Sequence, residues 1–179
     1  KREKERARSL RDLYKFLPYA RRTQKKADAL LAGFQHTIND LGQANPNRII
    51  PFPEVGIDPD LFHASRARLP FTGEGPYEFL FAGRLVPYKV PEAAVRAFAQ
   101  SEVLKAHKMT IIGDGPEFAR LQEIVAQHDA QDRIIFEGRK TQTEVAEAMR
   151  RADAFVFPSI RELGAGVVVE AMACGTLLI

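Results

Sequence analysis

From residue 78 onward the chain alternates short apolar runs with helical patterns, and this alternation constrains the fold more than any other feature of its 179 residues. Phe79-Leu80-Phe81-Ala82 reads as a short buried strand, and Pro91 opens a helix through Ala93, Ala94, Val95, Ala97 and Phe98. Met109-Thr110-Ile111-Ile112 is the next strand; Pro116-Glu117 then begins a helix carrying Leu121, Ile124 and Val125. Ile134-Ile135-Phe136 makes a third strand, and Thr141 with Glu144 forms a capping box ahead of Val145, Ala148 and Met149. Ala154-Phe155-Val156-Phe157 is a fourth strand, Val168 to Cys174 a fourth helix, and Leu177-Leu178-Ile179 the start of a fifth strand. Strands apolar on both faces and joined by helical crossovers specify an α/β, Rossmann-like, doubly wound parallel sheet.

A shorter unit precedes this one. Ala29-Leu30-Leu31-Ala32 reads as a strand, Thr37 to Leu41 as a brief helix, and Arg48-Ile49-Ile50-Pro51-Phe52-Pro53 as extended chain. Asn45-Pro46-Asn47 breaks the pattern, so the expected division is 1–44 and 45–179. The stretch from Ser65 to Pro76, with Pro70, Gly73, Gly75 and Pro76, reads as an exposed connection. Without an initial Met, and stopping in a strand that has just begun, the chain reads as a fragment truncated at both ends.

Charge is concentrated at the N-terminal end. Residues 1–26 hold eleven Lys or Arg against Glu3, Glu5 and Asp12, a local +8, whereas the remainder has 15 basic against 20 acidic residues, −5. Leu10, Leu13, Tyr14 and Leu17 share one helical face within the basic stretch, with Pro18 as a break. Such a helix suits packing on a neighbour, or peripheral contact with an anionic membrane surface. Sequence signatures of nucleic-acid-binding modules are absent, so no nucleic-acid partner is expected. One cysteine, Cys174, excludes an internal disulfide framework, and four scattered histidines lack ligand spacing, so no metal is expected. These features favour a cytoplasmic protein, placed at the inner face of the membrane if the basic helix docks there.

In an open parallel sheet, ligands gather at the carboxyl ends of the strands. After the first strand comes Gly83-Arg84-Leu85-Val86-Pro87-Tyr88-Lys89, a glycine turn with a guanidinium and an ammonium five residues apart. Arg offers a planar fork for phosphate oxygens and Lys a mobile point charge. After the fourth strand, Glu162 and Glu170 flank Gly164, Ala165, Gly166 and Val167, where the backbone can approach a ligand and a helix begins. Free N–H groups and the helix dipole favour an anion at that junction, while ionised carboxylates accept hydrogen bonds from sugar or ribose hydroxyls.

Gly83-Arg84-Leu85 with Lys89, Ile112-Gly113-Asp114-Gly115-Pro116-Glu117, Phe136-Glu137-Gly138, residues 152–159, and Glu162-x7-Glu170 followed by Ala171-Met172-Ala173-Cys174-Gly175-Thr176 occur in order. Together they resemble the C-terminal domain of family-four retaining glycosyltransferases of the two-domain GT-B fold. The likeness runs from about Arg48 to Ile179, and Ala27 to Leu41 resembles the end of that family's N-terminal, acceptor-binding domain. It implies transfer of a sugar from a nucleoside diphosphate sugar to a carbohydrate or lipid-linked acceptor, with retention at the anomeric carbon and no metal or other cofactor. By resemblance, Gly83, Arg84 and Lys89 would meet the diphosphate and Glu170 the ribose. Glu162 would contact the donor sugar, the backbone of residues 164–167 phosphate or sugar oxygens, and Arg139 the base. Arg84, Lys89 and Glu162 would be the groups that act in transfer. Three positions depart from the family pattern: Val90-Pro91 follows the lysine where glycine is usual, Val55 stands near a usual Asn, and Leu177 replaces a common Pro.

Other chemistries fit less well. A dinucleotide fingerprint needs Gly or Ala where Phe118 stands. A retaining glycosidase needs carboxylates roughly 5 to 5.5 Å apart, whereas Glu162 and Glu170, if both lay on one helix, would be about 12 Å apart, and neither has an obvious acid/base partner in the sequence. A GT-B epimerase or phosphorylase, or a non-catalytic nucleotide-sugar-binding module, remains as the alternative.

Overall fold

The computed structural model describes residues 17–41, 45–65, 75–162 and 164–179, which form two compact units, Lys1–Glu54 and Val55–Ile179. The helix expected from Leu10, Leu13 and Tyr14 lies outside the described residues. Pro18 is the first residue of helix α1 (Pro18–Lys26), with Leu17 extended before it. Proline lacks the N–H that a first helical turn leaves unpaired anyway, so it starts a helix as readily as it ends one.

In the first unit, β1 (Leu30–Ala32) is followed by α2 (Gln35–Asp40) and pairs in parallel with β2 (Ile49–Pro51). Arg48 Nη1 donates to the carbonyls of Lys25 and Ala27 at 3.2 and 3.0 Å, tying the end of α1 to the start of β2. Residues 49–51, which the sequence assigned to the second domain, are therefore hydrogen-bonded into the first unit.

The second unit is the expected α/β layer structure. Its elements are β3 (Glu78–Ala82), α3 (Pro91–Gln100), β4 (Lys108–Ile112), α4 (Phe118–Gln127), β5 (Ile134–Gly138), α5 (Gln142–Arg151), β6 (Ala154–Phe155), α6 (Gly166–Ala173) and β7 (Leu177–Leu178). All five strands are parallel in the order β5-β4-β3-β6-β7. Alternate side chains along β3 feed opposite layers, as a two-residue period requires. Phe81 joins Val95, Phe98, Leu121 and Ile124 under α3 and α4, whereas Leu80 and Ala82 join Ala146, Met149 and Ala171 under α5 and α6. Both faces of the sheet are thus covered, which is why its strands read as continuous apolar runs.

Caps and ion pairs fix the helices. The Thr141–Glu144 capping box forms as expected: Glu144 N donates to Thr141 Oγ1 and Thr141 N donates to Glu144 Oε2. Glu92, in the first turn of α3, accepts from Arg96 Nε at 2.7 Å and from Arg120 Nε of α4 at 2.6 Å. Hydrogen bonds from Arg120 and then Arg96 hold its carboxyl down at about 2.

Candidate functional site

Strand order reverses direction at β3. The chain moves outward through β4 and β5, then crosses back to place β6 on the other side of β3, which leaves a crevice at the carboxyl ends of β3 and β6. The loops after β3 and β4 are held there by backbone pairing beyond the strands. Gly83 N donates to Ile112 O at 2.9 Å, Leu85 N to Asp114 O at 3.0 Å, and Gly113 N to Gly138 O at 2.7 Å. Gly113 permits this approach: at φ +136° it holds a backbone that L side chains rarely adopt, and a Cβ there would collide with the carbonyl oxygen of Gly83. Leu85, fully buried, anchors the loop in the layer under α3 and α4, leaving Arg84 exposed.

An open cavity of about 470 Å³ occupies the crevice. Of the residues expected from the sequence, it brings Gly83, Arg84, Lys89, Arg139, Val167 and Glu170 into one wall. Glu162, Gly164, Ala165 and Gly166 are not part of that wall. Glu162 is joined to it instead through an ion pair, with Lys89 Nζ 2.5 Å from Glu162 Oε1. The two side chains are only 14% and 20% exposed, so this pair is largely shielded from solvent. Arg84 is held differently: its Nη2 donates to the phenol oxygen of Tyr88 at 2.5 Å.

Glu170 projects from α6. Its carboxyl has no hydrogen-bond partner among the described residues, and burial pushes it above the usual carboxylate range. A half-buried, unpartnered carboxylate in a cavity wall is an acceptor waiting for O–H donors. Arg139 lies at the far rim, 83% exposed and loosely paired with Asp114 at 3.6 Å.

The helices opening toward the crevice are uncapped. Val90 precedes α3 at φ 49°, ψ 43° and Ala165 precedes α6 at φ 41°, ψ 52°, and neither helix has a side-chain cap. Val90 thus carries the left-handed backbone that a glycine would adopt without strain.

Several wall residues were not foreseen. Phe62, Asp114, Lys140, Gln142 and Val145 line the cavity as well. Lys140 follows β5 directly beside Arg139 and sits 3.4 and 3.6 Å from Glu137 and Glu144. Its place after a strand end was the available signal. Among the described residues no group of three or more His, Cys, Asp or Glu is placed to hold a metal ion. No described helix is long and apolar enough to cross a membrane.

Comparison with known proteins agrees with this architecture. Residues 67–179 match the family described as glycosyl transferases group 1. The chain is 31% identical over 145 residues to 2-deoxystreptamine glucosyltransferase of Streptomyces kanamyceticus, covering 76% of this chain and 37% of that protein. Among solved structures, the pneumococcal O-GlcNAc transferase GtfA with UDP and GlcNAc superposes at a TM-score of 0.65 and 25% identity, over 86% of this chain and 30% of that one. Anabaena Alr3699/HepE in complex with UDP-glucose shares the fold, with a TM-score of 0.65 and 20% identity, over 87% of this chain and 45% of that one. The chain spans about a third of the length of the curated relatives it matches. A five-stranded parallel sheet with its cavity at the switch point, matched over residues 67–179, establishes that the chain belongs to the glycosyl transferases group 1 family, as a Rossmann-like half of the GT-B fold.

Proposed function

We propose that the second unit binds the nucleoside diphosphate sugar donor of a retaining glycosyltransferase. The observation that carries this reading is the convergence of two cations, Arg84 and Lys89, with an unpartnered carboxylate, Glu170, on one cavity at the switch point. The cations suit a diphosphate and the carboxylate suits ribose hydroxyls, two features that a nucleoside diphosphate presents together. In transfer, the bond between the anomeric carbon and the diphosphate oxygen breaks with its electron pair going to the phosphate, while an acceptor hydroxyl oxygen bonds to the anomeric carbon on the same face and gives its proton to the departing phosphate. Arg84 and Lys89 stabilise the charge that develops there. Glu162 contacts the sugar, Arg139 lines the base, and the backbone of residues 164–167 meets phosphate or sugar oxygens.

The residues up to 44 are the end of an acceptor-binding domain whose substrate is a carbohydrate or a lipid-linked sugar. Helix α1 supports peripheral contact with an anionic membrane face from the cytoplasmic side, because Arg21, Arg22, Lys25 and Lys26 lie together along it. Isothermal titration of the chain with UDP, GDP and ADP tests donor binding. One of them should bind, and Arg84→Ala should weaken it by roughly ten- to a hundredfold, the loss of a charge-assisted contact. Absence of binding by all three refutes the reading.

A further inference from the structure

We infer that Tyr88 is the positioning residue for Arg84, an inference that rests on donor binding at this cavity. Tyr88 occupies the middle of a single 3-10 turn, Pro87–Lys89, between β3 and α3. Its phenol oxygen accepts a hydrogen bond from Arg84 Nη2 at 2.5 Å, and the guanidinium carbon lies 6.0 Å from the ring centroid. Its backbone carbonyl accepts from Ile160 N at 3.1 Å, on the loop that carries Glu162. The next residue, Lys89, completes the connection through its ion pair with Glu162. One turn therefore registers the guanidinium on the β3 side of the crevice against the loop on the β6 side.

Chemistry favours a phenol in this position. Arg84 is exposed, and an exposed arginine samples many rotamers that a bound phosphate must freeze. A partner that holds the guanidinium beforehand removes that cost from binding. A carboxylate would do so while cancelling the charge, as Glu162 does for Lys89. A neutral hydroxyl holds one of the five N–H donors and leaves the positive charge and the remaining donors for the ligand. Tyr88 is itself 37% exposed, with no core packing role. Its hydroxyl therefore acts through Arg84.

The test is a double-mutant cycle on the chain, with affinity measured by calorimetry for whichever of UDP, GDP and ADP binds. Tyr88→Phe keeps the ring and removes the acceptor, and should weaken binding by roughly three- to tenfold. In an Arg84→Ala background the same substitution should cost nothing further, a coupling that a merely structural role would not produce. Thermal melting without nucleotide should be unchanged, and Tyr88→Leu repeats the cycle if the Phe variant melts early. Wild-type affinity in Tyr88→Phe, or an equal loss with and without Arg84, overturns the assignment of Tyr88 while leaving donor binding intact. Failure of the wild-type chain to bind any of the three nucleotides overturns both.

Discussion

Glu162→Gln should tighten binding of the bare nucleoside diphosphate while slowing sugar transfer in an enzyme that carries both domains. Lys89 Nζ and Glu162 Oε1 lie 2.5 Å apart in a pair whose side chains are 14% and 20% exposed, so a phosphate reaching Lys89 must compete with a carboxylate already there. Two unit charges about 5 Å apart repel by about 1 to 3 kcal/mol at effective dielectrics of about 80 to 20. A phosphate in an open cavity stays partly solvated, so the lower half of that range applies, which gives a gain of roughly five- to thirtyfold in affinity when the carboxylate becomes an amide of the same shape. Titration of the two chains with the nucleotide that binds, at low and high salt, measures this directly. The gap should narrow only modestly as salt rises, because a largely shielded charge pair is screened less than exposed charges. Unchanged or weaker binding by Glu162→Gln would refute the competition and make Glu162 a group that orients Lys89 for the phosphate.

Val90→Gly should raise stability by up to about 1 kcal/mol, since the left-handed backbone costs a β-branched residue about 1–2 kcal/mol and glycine's greater freedom in the unfolded chain returns only part of that; a denaturant midpoint at or below wild type would contradict it. Glu170 gives a pH signature. Its folded carboxyl is raised by burial, so the favourable protonated form is fully present below the ordinary carboxylate value and its stabilisation is lost as pH rises through the raised value. Hydroxyl donors need the ionised form, so nucleotide affinity should fall on acidification at a pH above the usual carboxylate range. Glu170→Gln should lose that step, and identical pH profiles for the two chains would refute the role.

The second unit was legible because its signals are local. Each strand of the five-stranded sheet announces itself within a few residues, and Thr141 with Glu144 caps α5 through atoms three residues apart. Pro18 is ambiguous in the sequence because proline can end one helix and start the next, and only the backbone on either side decides which. The pairing of β1 with β2 was invisible for a different reason: Leu30 meets Ile49 across the segment that holds α2, and no periodicity encodes that partnership. Phe62 escapes a sequence reading because lining a cavity depends on what the neighbouring loops leave open. The same limit applies to charge. Arg84, Lys89, Glu162 and Glu170 could each be named from residue type and spacing, yet the sequence treats all four charges as equally available. The structure divides them into a cation held by a neutral phenol, a cation neutralised by a carboxylate 73 residues away, and a carboxylate without a partner among the described residues. On the proposed donor reading, a diphosphate in this cavity would find the charge of Arg84 uncancelled and that of Lys89 already paired with Glu162, so the order of those two contacts would be set by the pairing and not by the motif.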